Sequence, residues 1–140
     1  MLKGVDHVAI AVRALDDALP FYTETLGFDL KATEKAEEGR VRVAILTKGP
    51  HRIELIESVT EDSPIRRFLE KRGPGLHHLC LEVDDLDAML DTMRAAGTRL
   101  IDETARPGAD GRRVAFVHPE AAGGVLLELS EKIAPGPESA

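Results

Sequence analysis

Cysteine is nearly absent from this chain of 140 residues: Cys80 stands alone, with no tryptophan, one tyrosine and four phenylalanines. A single thiol excludes an internal disulfide framework and suits a reducing compartment. Long apolar runs are missing too. The opening stretch MLKGVDHVAIAV holds one lysine and a short apolar segment, too short for a membrane span and without a signal-peptide layout. A cytoplasmic protein with no membrane partner is expected. Positive charge is also in deficit, with 18 Lys and Arg against 25 Asp and Glu, a net charge of −7 and a pI near 5.2. That balance argues against nucleic acid as the main partner. What remains, 43% hydrophobic and 31% charged residues, is the composition of a globular protein that handles a small molecule. Its length fits one domain, or two small halves sharing a core.

The chain repeats itself. His7-Val8-Ala9-Ile10-Ala11-Val12 matches His78-Leu79-Cys80-Leu81-Glu82-Val83, and Arg42-Val43-Ala44-Ile45-Leu46 matches Arg113-Val114-Ala115-Phe116-Val117, both at a separation of 71 residues. Ile53-Glu54-Leu55 matches Leu127-Glu128-Leu129 at 74, which three extra residues in the turn around 118–124 account for. Each copy reads as a strand, a helix and three extended segments. In the first copy these are 5–12, 15–25, 28–35, 40–46 and 52–58; in the second, 79–83, 86–96, 99–104, 112–117 and 125–130. Gly27 and Gly97 are expected to stop the helices, and Asp84 or Asp85 to cap the second. A linking helix is expected over 62–71, with Pro64 in its first turn. The fold class is thus α+β, two tandem βαβββ modules at about 3–58 and 75–131 in one domain, 1–133, followed by a loose tail, 134–140.

Strand phase selects candidate site residues, because side chains alternate faces. On the first strand Val8, Ile10 and Val12 form a bulky face for the helix to cover. His7, Ala9 and Ala11 form a small-residue face with room for something else. The same phase selects His78 rather than His77 in the second copy and puts His78 and Cys80 on the small face. Glu54 and Glu128 lie opposite their flanking leucines, where an unpartnered carboxylate is costly to bury. A lone histidine opening a strand is more often structural than a ligand. The recurrence of both residue types at equivalent places makes His7, Glu54, His78 and Glu128 a candidate set for a divalent first-row metal ion. His77 is expected to be packed or hydrogen-bonded, Cys80 to be a small buried filler, and the basic cluster Arg66-Arg67 with Lys71-Arg72 to be a solvated helix face.

Asp6-His7-Val8-Ala9-Ile10-Ala11-Val12, Ile53-Glu54-Leu55-Ile56-Glu57, Gly75-Leu76-His77-His78-Leu79 and Gly124-Val125-Leu126-Leu127-Glu128-Leu129 resemble the methylmalonyl-CoA epimerases, a branch of the vicinal-oxygen-chelate superfamily that also holds glyoxalase I and extradiol dioxygenases. Glu61-Asp62-Ser63-Pro64-Ile65 and Phe116-Val117-His118-Pro119 look like the same branch, and the likeness runs from about residue 3 to 131. The resemblance implies paired βαβββ modules forming a cupped mixed sheet around a metal. It implies His7, Glu54, His78 and Glu128 as ligands, cobalt as the associated ion (zinc, manganese and nickel being alternatives), and a homodimer.

The implied reaction interconverts (2R)- and (2S)-methylmalonyl-CoA by proton transfer at the α-carbon through a metal-stabilised thioester enolate. The resemblance makes Glu128 one acid/base. Some family members carry a second, a glutamate on the third strand; the matching position here reads as Arg42, which cannot act as a base. Arg42 is instead a candidate contact for a substrate carboxylate or CoA phosphate, with a solvated strand arginine the alternative. Repeat symmetry makes Glu54 the candidate second acid/base. A glyoxalase I-like lactoylglutathione lyase is the nearest rival, since it can use the same quartet. A ring-cleaving dioxygenase would need iron and only one carboxylate ligand. A metal-free small-molecule-binding protein on the same scaffold would line its groove with aromatics, and 4% aromatic content disfavours it.

Overall fold

A computed structural model describes residues 1–133; the tail expected at 134–140 lies outside the described residues. The chain divides into two compact units, one of residues 6–79 and one of residues 1–5 with the chain from residue 80 onward. The element order is β1 (Leu2–Ala11), α1 (Leu15–Pro20), β2 (Asp29–Ala36), β3 (Val41–Lys48), β4 (His51–Ser58), α2 (Pro64–Arg72), β5 (Gly75–Val83), α3 (Leu86–Ala95), β6 (Arg106–Pro107), β7 (Arg113–Val117) and β8 (Leu127–Glu131).

In the unit of residues 6–79, β4 pairs parallel with β1, with Ala9 opposite Glu54, and antiparallel with β3, which in turn pairs antiparallel with β2. Both faces of this sheet are covered. Leu15 of α1, with Ala18, Leu19 and Tyr22, packs on Val12, Ala44, Leu46 and Leu55, as the bulky-face reading expects. The small-residue face is not left open along its length. Ile65 and Leu69 of α2, with Phe68, pack on Ala9, Ala11, Val41, Val43, Ile45 and Ile56. Positions 65, 68 and 69 fall on one side of a helix, and that side closes the sheet beyond His7. Ser63 caps α2 by accepting from Arg66 N at 3.1 Å. The opposite side carries exposed charge, including an Arg66–Glu70 pair at 3.2 Å.

The other unit repeats the plan. Leu86 and Leu90 of α3 pack on Val83, Ala115, Val117 and Leu129. Asp85 caps the helix, accepting from Ala88 N at 3.1 Å. β7 and β8 pair antiparallel, with Phe116 opposite Glu128.

Two local departures from the sequence reading have clear causes. The first helix is α-helical only to Pro20, and residues Phe21–Thr25 form a π-turn in which Leu26 N donates to Phe21 O at 2.9 Å. Proline has no N–H to continue the ladder and crowds the preceding turn, so the chain rewinds there. The strand expected over 99–104 is absent apart from a single bridge, Leu100 to Val117. Asp102 Oδ2 accepts from Phe116 N at 2.8 Å, so its side chain takes a donor that a backbone ladder would have used.

A duplicated clasp joins strand to helix within each unit. Glu57 at the end of β4 accepts from Leu15 N at 2.6 Å, and Glu131 at the end of β8 accepts from Leu86 N at 3.0 Å. Each carboxylate thus satisfies an orphan N–H at the positive end of a helix. Each is held by a strand arginine, Arg42 on Glu57 at 3.5 Å and Arg113 on Glu131 at 3.0 Å. Arg113 also donates to Asp87 at 2.8 Å, and that hydrogen bond keeps the Asp87 carboxyl below its ordinary value. Arg42 is therefore engaged in helix anchoring, as its repeat counterpart is. Replacing Glu57 or Glu131 by alanine should each lower stability by about 1–2 kcal/mol, measured by urea unfolding. Arg42→Ala should cost about 1 kcal/mol or less, as a half-exposed pair does.

Candidate metal centre

The unit of residues 6–79 buries a charged cluster. His7, Glu54 and His78 are 4%, 5% and 9% exposed. His7 shares its phase on β1 with Ala9, and Ala9 is the register partner of Glu54 on β4, so parallel pairing carries imidazole and carboxylate to one face. His7 Nε2 stands 3.4 Å from Glu54 Oε1. The rings of His7 and His78 meet edge-to-face with centroids 5.7 Å apart, and each offers a ligand nitrogen within 4.8 Å of the other.

The residue before each histidine sets its orientation. Asp6 Oδ2 lies 2.7 Å from His7 Nδ1. A carboxylate there accepts the Nδ1 proton, so the Nε2 lone pair faces Glu54. His77 Nδ1 lies 2.8 Å from His78 Nδ1. One of that pair must donate and the other accept. If His78 donates, its Nε2 keeps a lone pair for a ligand, and His77 carries its own proton on Nε2. The His77 ring is fixed edge-on against Phe68 at 4.9 Å. Asp6 and His77 occupy equivalent places in the repeat, one carboxylate and one imidazole serving the same end.

Arg52 completes the cluster. Its Nε and Nη2 donate to Glu54 Oε2 at 3.0 and 2.8 Å, and its Nε is 4.0 Å from Asp6 Oδ2. With neutral imidazoles, Asp6, Glu54 and Arg52 sum to one negative charge, so the cluster attracts a cation. Imidazole nitrogens of His7 and His78 and the Glu54 oxygen beside His7 are donor types that a divalent first-row ion takes.

The sequence reading selected His7, Glu54, His78 and Glu128; His7 lies beside both Glu54 and His78. It did not select Asp6 or Arg52. The signal for Arg52 was present: two residues before Glu54 on a strand, it must share Glu54's face. Glu128 sits half-buried near the start of β8 in the other unit, on the face opposite Leu127 and Leu129 and across from Phe116. Arg42 is not brought to the cluster. Ile45, not Arg42, is the register partner of Glu54, and Arg42 pairs with Glu57 on the other face. The β3 residues that share Glu54's face are Val41, Val43, Ile45 and Thr47, none of which is a carboxylate or an imidazole. Cys80 is fully buried, as expected of a small filler.

Residues 6–116 match the model of the Glyoxalase/Bleomycin resistance protein/Dioxygenase superfamily. An ethylmalonyl-CoA/methylmalonyl-CoA epimerase of Cereibacter sphaeroides is 38% identical over 133 residues, covering 94% of this chain and 99% of the relative. The crystal structure of a methylmalonyl-CoA epimerase from Mycobacterium tuberculosis superposes with a TM-score of 0.90 at 43% identity, over 99% of this chain and 93% of that one. A variant of the Streptomyces coelicolor methylmalonyl-CoA epimerase, solved with 2-nitronate-propionyl-CoA, gives 0.89 at 36% identity, over 96% and 100%. Agreement of this extent in sequence and backbone means that the chain has the vicinal-oxygen-chelate fold and belongs to the methylmalonyl-CoA epimerase family of the Glyoxalase/Bleomycin resistance protein/Dioxygenase superfamily.

Proposed function

We propose that this protein is a metal-dependent methylmalonyl-CoA epimerase. The observation that carries the reading is that buried His7 lies beside both Glu54, at 3.4 Å, and the His78 ring, with the Nδ1 of each imidazole already engaged. Membership of the epimerase family supplies the substrate class. In the proposal Glu128 joins the three as the fourth ligand. Asp6, Glu54 and Glu128 then bring three negative charges against the one positive charge of Arg52, a balance that a divalent cation neutralises. Cobalt is the proposed ion, with zinc, manganese and nickel as alternatives. A cytoplasmic homodimer is the proposed state; no helix among the described residues is long and apolar enough to cross a membrane.

The chemistry sets what the residues must do. The proton removed lies between a thioester carbonyl and a carboxylate whose own negative charge opposes a second anion beside it. When bound, a divalent ion supplies the Lewis acidity that offsets both charges, worth several kcal/mol. Glu128 is proposed to take the α-proton on one face. Inversion needs a proton delivered to the other face; Glu54, its repeat counterpart, is the proposed donor, entering the step protonated while Glu128 enters it ionised. β3 offers no rival to Glu54, since its residues on that face are Val41, Val43, Ile45 and Thr47. Val43, Ile45 and Ile56 close that side of the sheet with α2 and keep water from the planar intermediate. Arg42, 41% exposed and held by Glu57, stays in the proposal only as a contact for the outlying CoA phosphates.

Proton exchange tests this reading. Cobalt-loaded protein in deuterated buffer should place deuterium at the α-carbon of methylmalonyl-CoA as it epimerises, and a chelator should abolish the exchange. Activity toward the glutathione hemithioacetal of methylglyoxal with none toward methylmalonyl-CoA would move the assignment to a lactoylglutathione lyase. His7→Ala or Glu128→Ala should lower the rate by about a thousandfold or more while the far-ultraviolet circular dichroism stays that of the wild type. Wild-type exchange in either variant would contradict the ligand and base assignments.

A further inference from the structure

Arg52 makes an unusual contact. An arginine paired with a carboxylate commonly forks onto both oxygens. Here Nε and Nη2 converge on one oxygen, Oε2 of Glu54, at 3.0 and 2.8 Å, while Oε1 faces His7 Nε2 at 3.4 Å. On its other flank Arg52 Nε is 4.0 Å from Asp6 Oδ2, the atom that engages His7 Nδ1 at 2.7 Å. The side chains of Asp6, His7, Arg52 and Glu54 are all less than a tenth exposed. Asp6, His7, Glu54 and Arg52 thus close a ring of contacts that ties the first residues of the β1 face to β4. The second repeat has no equivalent: Leu126 stands where the repeat would place Arg52.

We propose that Arg52 is a positioning residue of the metal centre. By occupying Oε2 it presents Glu54 to the ion through one oxygen, Oε1. By reaching Asp6 it couples that oxygen to the orientation of the His7 ring, so the ligands on two strands are held as a unit. Without Arg52, Glu54 is free to rotate, to offer both oxygens or to turn away, and two carboxylates flank His7 with no cation between them. This inference rests on the metal-centre reading above.

Cobalt titration of the metal-stripped full-length protein, followed by calorimetry and by visible absorption of the bound Co2+, separates the two. Wild-type protein that takes up no Co2+ would refute the metal-centre reading and this inference with it. If wild type binds, Arg52→Met should weaken Co2+ affinity by about 10–100-fold and shift the visible bands, as loss of an outer-shell partner does. Arg52→Lys, which keeps the charge but not the two-donor contact, should fall between. In a Glu54→Gln background, where the carboxylate that Arg52 restrains is gone, the further change Arg52→Met should alter affinity by about twofold or less. Should Arg52→Met alone not fold, Arg52→Lys and the Glu54→Gln pair carry the comparison. Wild-type affinity and spectrum in Arg52→Lys and Arg52→Met, or an equal loss in both backgrounds, would overturn the proposal while leaving the metal centre standing.

Discussion

A carboxylate set between isoleucine and leucine on a strand must either reach water or find cations. Glu54 is 5% exposed and has Ile53 and Leu55 on either side in sequence, so its charge is compensated from within. The desolvation of such a group costs several kcal/mol, which only close, well-directed partners return. Arg52 answers one of its oxygens with two N–H donors, and the other lies 3.4 Å from His7 Nε2, where the proposed cation would supply the remaining compensation. The arrangement of the unit of residues 6–79 follows from that requirement. β1 must run parallel beside β4 to bring His7 to Glu54, and α2 must cover the neighbouring alanines and valines so that the charged cluster is not drowned in water.

The repeat shows which features belong to folding and which to chemistry. Features found in both copies with the same partners are structural: Glu57 and Glu131 on the helix N-termini, Arg42 and Arg113 behind them, Leu15 and Leu86 packing the first turn of each helix on its sheet. Asp6 and His77 share a task, holding the Nδ1 of the following histidine, with different chemistry. Arg52 exists in one copy only. A duplicated scaffold that keeps its clasps and varies the neighbours of its ligands has tuned the site without disturbing the sheet.

Much of this was legible in the sequence because period-2 alternation is a strict rule wherever a strand is flanked by a core. It selected His7 and Glu54 and preferred His78 to His77, and it placed the leucine faces under α1 and α3. The same rule, applied from Glu54 across the hairpin, would have put Arg42 on the far face, but that needs the β3–β4 register, which the turn at 48–50 sets and the residue pattern alone does not. Sequence resemblance to a glutamate-bearing strand pointed at Arg42 instead. The clasp was visible as a repeat of Arg42 with Arg113 and of Glu57 with Glu131, yet its meaning required the helix N-terminus in space. Two other misreadings are local contests. Proline at position 20 overrode the helical period, and the Asp102 side chain displaced a backbone ladder. The closing of the alanine face by α2 was hidden because a linking helix announces its own apolar side but not the surface it will cover.

The account stands on imidazole nitrogen and carboxylate oxygen sharing one ion. Cobalt K-edge X-ray absorption on the loaded protein reads that coordination directly. The account predicts a shell containing two imidazole nitrogens, recognisable by their outer-ring scattering, with oxygen donors filling the rest, and the loss of one imidazole in His78→Ala. A shell of oxygen alone, unchanged when His78 is removed, would contradict it.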